Sequence, residues 1–332
     1  MMKILIAVFL LSPACLLAAA QGDASRLGAE NTVQTDPGPG GGDAGKDAET
    51  SRGWFPGTRL FHALMADPRR TAFSAALRYD DDAFERYDKS PTGEETGVLG
   101  KERVFASVTA GGRFPVYRWK LSRGCLQAGI EGSVQALFAI KSRETTASGD
   151  MSTMLNADYF VAIPVEYAWE GLAVQFRFYH LSTHAGDELM ALYPEFERIN
   201  LSFEAVDLFV SYYIVPQARV YLGIGCVMHH AQEGGFDPVT IDYGAEFRPF
   251  ARMRAGAGLF WQPFAAAHFR NLQYNSWSFD GRYSLGVEFT PARRLLNTRF
   301  QLALGFYHGR SYEGQFYHQR TSFVDLGFSF EL

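Results

Sequence analysis

His180 and Ser182, two residues apart in the run LAVQFRFYHLSTHAGDEL (172–189), are the residue types from which a nucleophilic hydroxyl can be made. A serine at its own pKa is a weak nucleophile and needs a base, and the base needs an acceptor to orient it. On a strand, two residues span about 6.7 Å and share a face, which puts an imidazole within reach of a hydroxyl. If the following strand pairs Phe203 with Phe176 and Leu201 with Phe178, then Ile199 faces His180 and Glu197 faces Ser182. On that register Glu197 is the expected orienting carboxylate, with Glu188 in the intervening loop as the second choice. The chemistry implied is base-assisted attack on an ester carbonyl, with His180 as base and Ser182 as nucleophile.

The same run shows which way these groups point. Val174, Phe176, Phe178, His180 and Ser182 alternate with Gln175, Arg177 and Tyr179, as the two faces of a strand do. A charge on the lipid side at mid-membrane costs about 2–4 kcal/mol, so the Arg177 face is expected to be a lumen and the His180 face to meet lipid. Continuing the pattern into RINLSFEAVDL (198–208) adds Arg198, Asn200, Ser202 and Glu204 to the lumen side. Together with Arg177 they predict an interior polar network, which either plugs a narrow barrel or lines a pore.

Seven histidines (180, 184, 229, 230, 268, 308 and 318) fall near the outward ends of strands, with Asp187, Glu188, Glu195 and Glu197 close by. Histidine and carboxylate are common metal ligands. Their spacing here matches no metal motif, and amphipathic rings also suit the headgroup zone. No metal site is therefore assigned and no cofactor is required.

Twelve candidate strands must hold these groups: 71–79, 102–113, 124–140, 156–169, 172–184, 197–214, 217–230, 238–252, 256–270, 277–290, 297–309 and 320–332. Odd-numbered strands are followed mostly by long polar loops and several even-numbered ones by tight turns such as Glu170-Gly171. Short periplasmic turns, long outer loops and an even strand number are the pattern of an all-β, antiparallel transmembrane β-barrel, and they send the fifth strand outward. In the last strand Val324, Leu326, Phe328, Phe330 and Leu332 make an unbroken apolar face. A soluble sandwich would also alternate, but needs neither the loop asymmetry nor that ending.

The chain opens with Lys3, an apolar run and Ala18-x-Ala20, read as a signal peptide over 1–20; lipoprotein processing at Cys15 is the alternative. Residues 21–52 have almost nothing to bury and read as a disordered linker. Residues 53–70 carry Trp54, Phe55, Leu60, Phe61, Leu64 and Met65, an apolar cluster expected to form a short periplasmic helix or plug before a barrel over 71–332. A net charge of −5 points to no nucleic-acid partner. Cys125 and Cys226 sit in different strands and suggest no disulfide framework.

His180-x-Ser182 on an outward, lipid-facing strand resembles the catalytic pair of outer-membrane phospholipase A and of the lipid A deacylase barrels. The resemblance implies His180 as base and Ser182 as nucleophile, acting on outer-leaflet phospholipid or lipopolysaccharide; Thr183 stands where those families carry Asn. It also implies a calcium ion near the outer carboxylates and a homodimer as options. The DLGFSFEL ending is similar to the signal that barrel-assembly machinery reads, with Leu332 in place of the usual Phe. More broadly, LFHALMADPR (60–69), YHLSTHAGDE (179–188), RINLSFEAVDL and GRSYEGQFY (309–317) resemble a bacterial family of secreted proteins classed only as a domain of unknown function. That likeness implies a Gram-negative-type envelope protein. A non-enzymatic channel or structural surface protein is the competing expectation.

Overall fold

Backbone groups inside a bilayer must all be paired, and closing a sheet on itself is how strands achieve it. In a computed structural model, residues 52–80, 103–140, 152–192, 196–231, 237–256, 258–291 and 299–331 are described. The barrel strands are β1 (Phe73–Asp80), β2 (Val104–Lys120), β3 (Cys125–Ile140), β4 (Ser152–Trp169), β5 (Leu172–Ala185) and β6 (Ser202–Val215). They continue as β7 (Ala218–His230), β8 (Val239–Phe247), β9 (Leu259–Leu272), β10 (Ser278–Pro291), β11 (Arg299–Arg310) and β12 (Arg320–Glu331). Each strand pairs antiparallel with its chain neighbour, and β12 returns to β1 with Phe330 opposite Phe73, so the cylinder closes. The expected strands recur within a few residues. The largest departures are β2, which runs on to Lys120, β6, which starts at Ser202 rather than 197, and β8, which ends at Phe247 rather than 252. The signal peptide and most of the linker, the loops 81–102 and 141–151, Glu195 and Leu332 lie outside the described residues.

The outer wall is apolar: Leu77, Ile163, Phe176, Leu222, Leu304 and Leu326 are all exposed. The inner wall is ionic, because charge is affordable only where a partner or water can meet it. Arg113 bonds Glu131 and Glu166, Arg177 bonds Asp207, and Arg270 bonds Asp242. The segment before β1 fills the space between them. Gly53–Trp54 first pairs with Arg118 and Tyr117 of β2, and the chain then turns into the lumen. Residues 58–70 form turns rather than a helix. Their backbone N–H groups donate to lumen carboxylates: Leu60 and Phe61 to Glu166 at 3.0 and 3.2 Å, and Met65 to Glu246 at 2.8 Å. Phe61 and Leu64 pack on Phe209 and Tyr221, while Met65 and Ala66 pack on Phe264 and Ala266. Of the apolar cluster, Leu60, Phe61, Leu64 and Met65 are buried inside the barrel as a plug, whereas Trp54 and Phe55 stay exposed against Tyr117 and Phe114.

The outer end is stopped as well. The β11–β12 loop (311–319) folds inward, donating from Gly314 N to Asp158 at 3.1 Å and from Gln315 N to Asn156 at 3.0 Å. Phe316 packs with Phe105, Leu137, Leu155, Phe196 and with Leu189 of α1 (Asp187–Leu192). Cavities of about 100 and 80 Å³ remain between plug and loop.

The plug carries one titratable group with a marked consequence. His62 Nδ1 accepts from Arg299 at 3.3 Å, and burial together with Arg299, Arg219, Arg248 and Arg59 holds its pKa well below the ordinary histidine value. In the unfolded chain the ring takes a proton near pH 6.5, whereas in the fold it stays neutral well below that. The unfolded state therefore binds more protons as pH falls, and stability drops from about pH 6.5 downward. His62→Leu should remove this part of the acid loss. In urea unfolding of the detergent-solubilised barrel, the difference between wild type and variant should be constant above about pH 7. Below about pH 6.5 it should move in the variant's favour, by at most about 1.4 kcal/mol per pH unit.

Candidate active site

On β5, Gln175, Leu181 and Thr183 are buried in the lumen together with Arg177 and Tyr179, while Phe176, Phe178, His180, Ser182 and His184 face outward. His180 lies eight positions along the strand from Leu172. At about 3.4 Å per residue and a tilt near 40°, that lifts the imidazole about 20 Å above the strand's periplasmic end, close to the upper limit of a band about 25 Å tall. The expected orientation of the His180–Ser182 face is the one observed.

The neighbouring strand corrects the expected partner. Phe176 lies opposite Leu208, not Phe203, so the register is displaced by five residues. An odd shift exchanges the two faces of a strand. His180 therefore meets Glu204, and Ser182 meets Ser202. Glu197 is exposed in the coil before β6, and Arg198 and Asn200 are exposed beside it, so none of the three joins β5. Of the expected lumen network only Arg177 points inward, bonding Asp207 at 2.6 Å and Glu131 at 3.6 Å. The physical reason is an apolar upper lumen. Leu181, Leu201, Phe203, Ala205, Val227 and Tyr317 form one buried cluster there, which draws inward the residues that the alternation assigns to lipid. Glu188, the second-choice carboxylate, starts α1 and accepts from Met154 N at 3.2 Å.

Glu204 is the residue the sequence did not reveal. Its Oε1 lies 2.8 Å from His180 Nδ1 and its Oε2 lies 2.7 Å from His229 Nδ1. A bulge between Glu204–His229 and Ala205–Val227 inserts Met228, which turns His229 outward against the alternation of β7; bulges often re-aim a side chain in this way. The side chains of His180 and Glu204 are 38% and 35% exposed, and that of His229 is 78% exposed. Ionisable groups on the lipid side of a barrel are costly, and here three of them are linked through Glu204.

With Nδ1 held by the carboxylate, His180 keeps Nε2 for a hydroxyl, the polarity a serine triad requires. Among the described residues no hydrogen bond joins Ser182 to His180; such bonds often tighten only when substrate is present. Thr183 points inward and its hydroxyl bonds Asn156 at 3.0 Å. A second outward pair exists, His308 Nδ1 and Ser322 Oγ at 2.6 Å, but among the described residues no carboxylate bonds His308. His268, expected near the rim, is buried in the lumen between Tyr221 and Asp242. Among the described residues no cluster of three or more histidine, cysteine or acidic side chains is arranged to hold a metal ion.

Solved structures with a similar fold are outer-membrane barrels. The calcium-bound outer membrane phospholipase dimer from Salmonella typhi matches with a TM-score of 0.50 and 11% identity, over 78% of this chain and 90% of that one. Outer membrane phospholipase A from Escherichia coli gives a TM-score of 0.50 and 10% identity, over 78% and 92%. LpxR from Salmonella typhimurium gives a TM-score of 0.38 and 12% identity, over 78% and 100%. No curated protein matches the chain. The closed antiparallel cylinder and its apolar wall, with the two phospholipase likenesses, show the fold of an outer-membrane β-barrel. Over residues 41–332 the chain belongs to the family described as "Protein of unknown function (DUF1207)".

Proposed function

We propose that this barrel is an ester hydrolase acting on outer-leaflet lipid, phospholipid or lipopolysaccharide, with Ser182 as nucleophile, His180 as base and Glu204 as the orienting carboxylate. The observation that carries the reading is the 2.8 Å contact between His180 Nδ1 and Glu204 on the lipid-facing wall, beside Ser182. In this mechanism Ser182 Oγ attacks the ester carbonyl as His180 Nε2 takes its proton, and the imidazolium is stabilised by Glu204. The proton passes to the departing alcohol, and water, activated by the same histidine, releases the fatty acid from Ser182. Because Thr183 is turned into the lumen, the oxyanion is stabilised from elsewhere. Calcium, present in the Salmonella typhi phospholipase, is the ion to supply in the assay.

The channel alternative loses support from the same structure, since the lumen is crossed by Arg177–Asp207 and occupied by the plug and the inward loop. The test is fatty-acid release by refolded protein in detergent micelles, on phospholipid and lipid A, with and without calcium. Wild type and Ser322→Ala should release fatty acid at similar rates; Ser182→Ala and His180→Ala should release none while keeping their β-sheet circular dichroism. Equal activity in Ser182→Ala, or none in wild type under any of these conditions, rejects the hydrolase and favours a structural surface protein.

A further inference from the structure

The wall beside His180 is not smooth. A shallow depression of about 380 Å³ is lined by Ala110, Gly132, Val134, Tyr159, Val161 and His180. The registers explain it. His180 lies opposite Val161, Val161 opposite Gly132, and Gly132 opposite Gly112, so one row across β5, β4, β3 and β2 ends in two residues without side chains. The row above runs from Ser182 through Tyr159 and Val134 to Ala110. Below it stand Ile163, Ile130 and Phe114, all about half exposed. Larger side chains thus flank a floor that falls from Val161 to Gly132 and Gly112, and the depression borders His180 at its β5 end. Three strand spacings make it about 14 Å long.

We infer that this trough holds one acyl chain of the lipid substrate, with its ester end at Ser182 and its tail toward Gly112. The inference rests on the hydrolase reading for the word substrate; the occupant follows from position. The trough lies on the outer wall, which bilayer chains already contact, and the imidazole borders it at its β5 end, next to Val161. An apolar chain laid between Tyr159 and Ile163 meets side chains on both flanks. Gly132 then sets which chains fit. A Cβ added there would have its nearest neighbour, Phe160 O, at 3.5 Å, and one at Gly112 would have nothing within 4 Å. A larger side chain at either position fills the trough without disturbing the sheet.

The experiment pairs two readouts. Wild type and Gly132→Leu are compared on a short-chain and a long-chain ester, and both are photolabelled in vesicles of phospholipid carrying a diazirine midway along one acyl chain. The expected result is at least about a ten-fold larger fall in long-chain than in short-chain turnover for Gly132→Leu, the effect typical of an apolar pocket misfit. Labelling should concentrate on peptides containing 132–134 and 159–161 in wild type, relative to Leu208 and Leu304 on other parts of the wall, and should be lost in the variant. Uniform labelling around the barrel, or an equal fall on both esters, overturns the trough even if hydrolysis is real. Concentrated labelling in a protein that hydrolyses neither ester keeps the chain site and removes the enzyme.

Discussion

Glu204→Ala should lower kcat for ester hydrolysis by about 10³–10⁴-fold while leaving KM nearly unchanged, the pattern seen when the orienting acid of a triad is removed. The argument is geometric. Among the described residues His180 Nδ1 contacts only Glu204; without it the ring is free to turn, and its tautomer is no longer fixed for Nε2 to accept the serine proton. The imidazolium formed during attack also loses its counter-charge. His229 shares the same carboxylate, yet it is far more exposed and stands on the side away from Ser182, so His229→Ala should have a much smaller effect. Glu197→Ala should have none. Steady-state rates on one lipid ester for the three variants decide it: activity surviving in Glu204→Ala and lost in Glu197→Ala would restore the sequence-derived assignment.

The largest effect on stability should come from Glu166→Ala. This buried carboxylate accepts from Arg113 Nη1 at 2.8 Å, Gln175 Nε2 at 3.1 Å and Gln127 Nε2 at 3.1 Å, and from the plug amides of Leu60 and Phe61. Removing one partner of a buried ion pair leaves a charge stranded and costs about 3–5 kcal/mol, and the orphaned plug amides add to that. Guanidinium unfolding in detergent should show a midpoint shifted to lower denaturant in Glu166→Ala, with Glu166→Gln falling between it and wild type. Faster protease cleavage between residues 58 and 70 in the variant would locate the loosening in the plug. An unchanged midpoint would mean that Glu131 alone satisfies Arg113.

Much of this was legible in the chain. Period-two alternation and the long-loop, short-turn rhythm located the strands and oriented β5, because both follow from the membrane itself. The partner of β5 was not legible. Residues 197–201 alternate as a strand does, although the apolar members, Ile199 and Leu201, lie against the inward loop and its buried cluster rather than in lipid. Alternation reports that a face is apolar, not whether lipid or a filled lumen covers it. That ambiguity moved the register by an odd number and hid Glu204. His229 was hidden for a different reason: a one-residue bulge at Met228 leaves no mark in the hydrophobic pattern. The segment GRSYEGQFY carried a family resemblance, but its inward fold depends on Asn156 and Asp158, more than a hundred and fifty residues away.

Arg177 and Asp207 lie directly opposite one another across β5 and β6, and three residues further along the same ladder His180 lies opposite Glu204. The first pair faces the lumen and the second faces the bilayer, so they never touch. They share only the two backbones between them. The interior ion pair therefore acts as a ruler for the exterior: it fixes how far one strand has slid past the other, and the spacing of imidazole and carboxylate outside is a copy of that measurement. Precision at a surface bathed in fluid lipid is supplied from the crowded side of a sheet one residue thick.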